Sequence, residues 1–479
     1  MRRKSKSLST GKISFYNLLI IANWVVLVFV IFGIENNTLY TDSLTKVLSA
    51  VLCVIIHFVL KDARKNKNPL LCIVGFELIF FYQLGIFSIG WSEIASYLDE
   101  SKVVPSEFNY ALFFIICSTV VMWRAMHFTP EAIEKKIDKH PEESFKVMSV
   151  IVFVALALLF LGNIPGLSYV QAFFLLVFNV PGLLLFVFAF YSRNSRVLSK
   201  KSLFIVVAAA LLLIIIKTLG GSRSGFLVVF MLLISALLVE NKVMFKVRYV
   251  ILGLLMIPVM VFVYTYSSFL RRTESTFSSA NEKIEMASEV TDRMSGDDLR
   301  TIITPVIGRM SYIDGACVSI KLKDGFSSFI NPVYCFKSTV DNVLTPGFDV
   351  FDTPRMSLCM RFYHANLKNV TKTQAENLVY QSDVFTFFGE QYVMLGGWLG
   401  LLGIYFICYY FKVLYVKFRR KDNYFLMAAL VYLFSILFNS YGLDWFFLDV
   451  VSMTFSYYIY KYFVNKQSNK KKLLIRQSF

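Results

Sequence analysis

The segment ISFYNLLIIANWVVLVFVIFGI, residues 13–34, carries no charged side chain. An α-helix needs a run of about 20 apolar residues to cross the hydrocarbon core of a bilayer, which is about 30 Å thick. The run is too long for the apolar part of a signal peptide, and no small-residue cleavage site follows it. This stretch therefore predicts a retained transmembrane helix near the N-terminus.

The composition extends this prediction to the whole chain of 479 residues. Apolar residues make up 56% of the chain and charged residues 17%, and the mean hydropathy is +0.60. A soluble domain is about 45–50% apolar and about 25% charged, so a soluble enzyme is excluded. The 48 Phe and 26 Tyr exclude a disordered chain, and the 7 Cys exclude a disulfide scaffold. The predicted fold class is an all-α polytopic membrane protein.

About twelve segments fit a membrane span by the same length criterion. They are residues 13–34, 44–60, 70–90, 110–123, 147–161, 170–191, 202–216, 225–239, 249–266, 393–411, 424–438 and 443–463. The predicted organisation is nine membrane helices in residues 1–270, a large outer loop 271–390, three helices in 391–464 and a basic cytoplasmic tail 465–479.

The lysines and arginines test this map independently. With the N-terminus placed in the cytoplasm, the segments that fall inside hold 32 of the 49 basic residues. The short outer segments hold only Lys46, Lys102, Lys217 and Arg223. This asymmetry follows the positive-inside rule and predicts that both termini are cytoplasmic. The net charge of +17 is then an orientation signal with attraction to membrane lipid, and no nucleic-acid partner is expected.

The outer loop of about 120 residues is long enough to carry function. Apolar residues from Leu299 to Ile320 recur at spacings of three or four. This pattern predicts a partly helical loop, with an amphipathic helix that lies on or dips into the outer face and that Pro305 kinks. Any active surface is therefore expected on the outer side.

Motifs of nucleotide and metal chemistry are absent from the sequence. It contains no GxxxxGK[ST], no HExxH and no paired CxxC, so no cofactor and no metal are predicted. Cys317, Cys335 and Cys359 lie in the outer loop, where at most one disulfide can form.

Arginines are the candidate anion-binding residues. Arg223 lies in the turn GGSRSG, residues 220–225, whose glycines allow backbone amides to form an anion nest. An arginine at membrane depth costs about 2.5–3.5 kcal/mol unless it meets water or an anion. The guanidinium fork binds two phosphate oxygens at once, although a single arginine is also explained as a surface or salt-bridge residue. The outer loop contributes Arg271, Arg309, Arg355 and Arg361.

Two residues are candidates for a general base. Glu390 stands just before a glycine-rich segment, residues 396–400, at the start of the predicted tenth helix. Its alternative role is to favour a helix N-terminus electrostatically. His364 titrates near neutrality, and its alternative role is that of an ordinary loop histidine. For the acids in or near the spans, structural pairing, as with an arginine, is favoured over a polar path; these are Glu77, Asp444 and Asp449.

Several of these features occur together in one family. The chain has about twelve predicted helices, a large outer loop before the last three, a Gly-Ser-Arg-x-Gly turn (221–225), Pro354-Arg355 late in the loop, and Gly-Glu-x-Tyr-x-x-x-Gly (389–396). In this combination it resembles the Wzy-type O-antigen and oligosaccharide repeat-unit polymerases. The resemblance implies glycosyl transfer between undecaprenyl-diphosphate-linked oligosaccharides at the periplasmic face of the bacterial inner membrane. A chain-length regulator protein is an expected partner from the family alone.

The resemblance also implies roles for residues. Arg223, helped by Arg309 and Arg355, would stabilise the leaving diphosphate. Glu390, or alternatively His364, would take the proton from the acceptor hydroxyl, and direct attack would invert the anomeric centre. Two rival functions stay open: an O-antigen ligase, which His364 would serve, and a flippase or transporter, against which the single long loop argues.

Overall fold

The computed structural model describes a bundle of α-helices with a two-stranded β-ribbon at one end. The residues that it describes are 12–36, 38–92, 98, 101–129, 140–161, 179–219, 225–242, 244–246, 261–262, 311–341, 350–356, 386–438 and 442–477. Strands β1 (Lys12–Ser14) and β2 (Met244–Lys246) pair antiparallel.

The helices before the long outer loop are α1 (Phe15–Gly33), α2 (Ser43–Asn66), α3 (Pro69–Glu77), a π-helical turn (Leu78–Gln83), α4 (Leu84–Ser92), α5 (Pro105–Met126), α6 (Pro141–Leu161), α7 (Val180–Asn194), α8 (Lys200–Leu219) and α9 (Gly225–Val239). Within the loop lie α10 (Ile313–Lys321), α11 (Lys323–Phe326), α12 (Pro332–Thr339) and α13 (Phe387–Met394). The last helices are α14 (Gly400–Arg420), α15 (Tyr424–Phe438) and α16 (Leu443–Gln477).

Several helices begin at a polar capping side chain or at a proline, where an apolar run begins. Asp42 Oδ1 accepts the backbone N–H of Thr45 over 3.0 Å, and the Thr45 hydroxyl oxygen accepts that of Asp42 over 3.1 Å, which forms a capping box for α2. The amide of Asn109 donates to Asp42 over 2.8 Å and joins α5 to this cap. Pro69 and Pro105 begin α3 and α5, where the missing N–H costs nothing.

Seven helical stretches in the described part of the chain are long and apolar enough to cross a membrane. They are Phe15–Gly33, Ser43–Asn66, Pro69–Trp91, Pro105–Met126, Pro141–Phe160, Lys200–Thr218 and Gly400–Arg420. The chain is an all-helical polytopic membrane protein, as its composition predicted. The count of twelve spans and the outer loop as a single domain stay predictions, since most of residues 249–266 and 271–385 lie outside the described residues.

One predicted boundary in the C-terminal part is wrong. The tenth segment, predicted at 393–411, is divided into α13 and α14 because Gly396 and Gly397 take positive φ values of 79° and 101° and turn the chain. The N–H of Gly397 donates back to the Tyr392 carbonyl over 2.6 Å and closes α13. The span predicted at 443–463 lies within α16, which continues to Gln477 because lysines and glutamines end a hydrophobic run without ending a helix.

Segments predicted to lie inside meet at one end of the bundle, here called the inner end. There β1 joins the N-terminal segment to the segment after α9 through its pairing with β2. Arg193, near the end of α7, donates to Glu240 over 3.0 Å and also to Asp422 after α14. The indole N–H of Trp123 donates to Asp62 over 2.9 Å and joins the ends of α5 and α2.

Segments predicted to lie outside meet at the opposite end, here called the outer end. Lys321 of α10 forms an ion pair with Glu107 of α5 over 2.8 Å. The hydroxyls of Tyr110 and Tyr392 lie 2.9 Å apart and join α5 to α13. The contacts agree with the alternating map, while the orientation of the bundle in the membrane stays a prediction from charge.

The described part of the predicted amphipathic helix is buried inside the outer end. Residues Ile313–Ile320 of α10 are all buried, and these include the polar side chains of Asp314 and Ser319. The backbone N–H of Tyr312 donates to the Phe81 carbonyl in the π-helical turn over 2.9 Å. A helix with one exposed face is therefore the wrong prediction for α10, because α13, α5 and α4 pack around it. Residues 299–310, with Pro305, lie outside the described residues.

Cysteine labelling would test the proposed orientation. Val333 in α12 is 65% exposed at the outer end, and Val197 after α7 is 59% exposed at the inner end. We expect Val333→Cys to react with a membrane-impermeant maleimide in intact cells and Val197→Cys to react only after permeabilisation. The unmodified chain is the control, because it shows any labelling of the native thiols. Most of the cysteines that the structure describes are buried. The reverse labelling pattern would invert the map.

Candidate active site

Helix α13 carries Glu390 into the outer end of the bundle. The Thr386 hydroxyl accepts the N–H of Gly389 over 3.4 Å and caps this helix. Gly389 lies against α10, where an added Cβ would stand 2.7 Å from Ser319 Cβ and 3.3 Å from Ala316 Cα. Only glycine lets the two helices approach this closely. The next residue, Glu390, is 0% exposed.

The two carboxylate oxygens of Glu390 have different surroundings. Oε1 accepts the backbone N–H of Leu443, the first residue of α16, over 2.9 Å. Oε2 is buried and has no hydrogen-bond partner in the part of the chain that the structure describes. Burial raises the pKa of Glu390 to about 8; the Leu443 hydrogen bond opposes this rise and the nearby charge of Asp444 adds to it. A carboxyl group with a pKa near neutrality is suited to proton transfer at physiological pH.

Asp444, beside Glu390, is held on both of its oxygens. Oδ2 accepts the Ser338 hydroxyl over 2.6 Å and the Met356 N–H over 3.1 Å. Oδ1 accepts the N–H of Trp445 over 2.9 Å. Because both oxygens are satisfied, Asp444 fixes α12 and the segment 350–356 against the start of α16. This is the structural pairing that the sequence favoured for Asp444.

Arg355 reaches the same place from the outer loop. Its Cζ atom lies 4.3 Å from the centre of the Trp445 ring, within the range of a cation–π interaction. The charge of Arg355 also acts on Asp444, and that of Asp444 acts on Glu390. The structure therefore brings two predicted site residues, Arg355 and Glu390, to the start of α16. We call Glu390, Asp444, Arg355 and Trp445 the α16 cluster.

The other predicted site residues are not placed by the structure. Five of the seven fall outside the described residues: Arg223, Arg271, Arg309, Arg361 and His364. Their assignment to diphosphate binding, or to proton transfer for His364, stays a prediction.

Two members of the α16 cluster were not among the predicted site residues. Asp444 was recognised only as an acid near a span, and Trp445 was not singled out. An acidic residue two positions after Gly442, at the start of an apolar run, is a helix-start signal and indicates this end of α16. Nothing in the local sequence indicates that the cap of α16 comes from Glu390, 53 positions earlier.

The remaining acids in the spans have partners. The hydroxyl of Ser435 in α15 donates to Glu77 of α3 over 2.7 Å. Asp449 of α16 interacts electrostatically with Lys217 of α8. Both arrangements agree with the structural pairing favoured from the sequence, since a charge at membrane depth needs a partner.

Within the described part of the chain, neither a disulfide nor a metal site lies at the α16 cluster. The described cysteines are free thiols, and burial raises the pKa of the Cys335 thiol to about 12. Cys359 lies outside the described residues. Among the residues that the structure describes, no three His, Cys, Asp or Glu side chains are grouped as a metal site.

Comparison with known proteins returns no relative: no protein-family model, no curated protein and no solved structure matches this chain. The fold and the α16 cluster thus define an all-helical membrane protein with a buried carboxyl group and an arginine at its outer end.

Proposed function

We propose that this protein is a glycosyltransferase that joins lipid-linked oligosaccharide repeat units into a surface polysaccharide. The observation that carries the proposal is the meeting of Glu390 and Arg355 at the start of α16. The family resemblance implies the role of general base for Glu390 and, beside Arg223, a helping role in diphosphate binding for Arg355. The substrates would be oligosaccharides on undecaprenyl diphosphate, and the reaction would take place at the outer end of the bundle.

Glu390 supplies the general base in this proposal. Oε1 is occupied by the Leu443 N–H, and Oε2 is left to accept a proton from the attacking sugar hydroxyl. With a pKa of about 8, the group is ionised in part of the molecules near neutral pH and binds the transferred proton well. Since Oε2 is buried, the acceptor hydroxyl must displace the side chains that cover it.

Arg355 supplies positive charge for the leaving group. Its guanidinium lies over the ring of Trp445, and a guanidinium can donate to two phosphate oxygens at once. In the reaction, the acceptor oxygen forms a bond to the anomeric carbon and the bond from that carbon to the diphosphate oxygen breaks. The electron pair leaves with the undecaprenyl diphosphate, where cationic groups stabilise it, and the hydroxyl proton goes to Glu390. The displacement inverts the anomeric centre.

The donor lipid itself supplies the energy for the proposed transfer. The bond between the sugar and the diphosphate of the donor lipid is already activated, so the transfer requires no nucleotide. The sequence contains no phosphate-binding loop of the GxxxxGK[ST] type, in agreement with such a donor.

The surface-polysaccharide ladder on a gel tests the proposal. In a strain that lacks this gene, we expect the ladder to collapse to a single capped repeat unit, and the gene supplied in trans should restore it. Loss of all capping, with long lipid-linked polymer accumulating, would show a ligase instead. A ladder that does not change would remove both glycosyl-transfer functions and favour transport.

A further inference from the structure

A basic groove lies at the inner end of the bundle, on the flank of α14. It encloses a cavity of about 470 Å³. Its lining from α14 is Lys412, Val413, Val416, Lys417 and Arg420. This spacing places the five side chains along one face of the helix. Phe128, just after α5, and Lys421, just after α14, complete the lining.

The flank of α14 next to this groove has the character of a lipid-facing surface. Phe406 is 64% exposed and Tyr410 61% exposed, and Val413 is exposed as well. Only 22% of the apolar window of α14 is buried inside the bundle. Because α14 is one of the seven candidate spans, the molecule that covers this flank in a membrane is lipid.

The positive charges of the groove are spread along α14. Lys412 Nζ lies 4.5 Å from the centre of the Tyr409 ring, which directs it back toward the apolar part of the helix. Lys417 and Lys421 are exposed. From Lys412 to Lys421 the helix rises about 13 Å, at about 1.5 Å per residue. Among the described residues none of these three lysines forms an ion pair.

Two general effects also favour basic residues at this helix end. They complement the partial negative charge of the helix C-terminus, and they follow the positive-inside rule. Neither effect requires a concave site or an aromatic side chain in its lining. The combination of a cavity, an apolar wall and several ammonium groups at one helix end fits a lipid headgroup with the first part of its acyl chains.

We propose that the basic groove binds an anionic phospholipid of the inner leaflet whose headgroup carries two phosphates, as cardiolipin does. Three ammonium groups distributed over one flank match two phosphates better than one. The phosphates pair with Lys412, Lys417 and Lys421, and the acyl chains run along Val413 and Phe128. The proposal is independent of the α16 cluster, which lies at the other end of the bundle.

Lipid titration of the purified full-length chain in neutral detergent tests this inference. Cardiolipin, phosphatidylglycerol and phosphatidylcholine are added separately, and bound lipid is counted by native mass spectrometry. We expect cardiolipin to bind at least about tenfold more tightly than phosphatidylcholine, and the Lys412→Gln/Lys417→Gln variant to lose roughly tenfold of that affinity. A second variant, Lys417→Gln/Lys421→Gln, changes only exposed side chains and should show the same loss.

The matched control is Lys200→Gln/Lys201→Gln. It removes the same number of positive charges from exposed positions at the inner end, outside the groove. This control should keep the affinity of the unmodified chain. An equal loss in the control, or equal binding of all three lipids, would overturn the proposal in favour of general surface charge. Displacement of cardiolipin by millimolar pyrophosphate would overturn it in favour of a soluble anion.

Discussion

Replacing Glu390 with Gln is expected to lower the polymerisation rate by at least about 100-fold, the usual contribution of a general base. The measurement is elongation of a lipid-linked repeat unit by the purified chain. Gln keeps an Oε1 that can accept the Leu443 N–H, so the cap of α16 is retained and only proton transfer is lost. In the unmodified chain the rate should rise with pH up to about 8 and then level off, because the base acts in its ionised form.

The matched control for this variant is Asp324→Asn, which removes an exposed carboxylate from α11 at the same end of the bundle. It should elongate the substrate at the rate of the unmodified chain. If Glu390→Gln makes polymer of normal length at a normal rate, Glu390 is not the base. His364 would then be the next residue to replace.

Thermal unfolding separates the burial of Glu390 from its catalytic role. The folded-state pKa of about 8 lies above the ordinary value of 4.5, so the folded chain binds the proton more tightly than the unfolded chain. The stabilisation from this group is complete below the ordinary pKa and is lost as pH rises through about 8. Glu390→Gln should remove this contribution to the pH dependence. A variant that is inactive but keeps the full pH dependence would contradict the assigned environment.

The spans were the most predictable part of the fold. Hydrophobic length and charge placement depend on the sequence of each segment alone. The bounds predicted at 225–239 and 424–438 coincide with the helices α9 and α15, although both helices are shorter than the seven candidate spans. The end of α13 is not predictable in the same way, because in the sequence Gly396 and Gly397 are equally compatible with the start of a helix. Whether glycines open a helix or end the previous one depends on φ, which the sequence does not state.

The burial of α10 follows from tertiary packing. Its own sequence, IDGACVSIK, has small residues at Gly315, Ala316 and Ser319. On their own these residues suggest a weak amphipathic helix. Opposite Gly389 they become a close helix contact that hides the polar side as well as the apolar one.

The types of residue in the candidate site could be predicted from the sequence, but their positions relative to one another could not. A carboxylate before a glycine-rich segment and an arginine after proline can each be found in the sequence. Their meeting at α16 depends on contacts between residues far apart in sequence, such as Glu390 with Leu443 and Arg355 with Trp445. Such contacts are set by the packing of the whole outer end.

At the inner end, Arg193→Ala is expected to be the most destabilising single substitution considered for this chain, by about 3–5 kcal/mol. The Arg193 side chain is 6% exposed and bridges Glu240, 3% exposed, and Asp422, 10% exposed. Its Cζ atom also lies 5.2 Å from the centre of the Tyr424 ring. Removal leaves two carboxylates buried without their shared cation, which is far more costly than the loss of an exposed ion pair.

The control for this prediction is Arg196→Ala, which removes an exposed arginine three residues further along the same turn and should change the unfolding temperature in detergent little. Arg193→Lys should recover only part of the stability, because a single ammonium lacks the fork that donates to both carboxylates. The triple variant Arg193→Met/Glu240→Gln/Asp422→Asn should recover most of the loss, since it removes the charges of both buried carboxylates together with that of Arg193. Because the ends of α7, α9 and α14 are joined at this one guanidinium, a normal unfolding temperature for Arg193→Ala would mean that these helices are held by their apolar contacts alone.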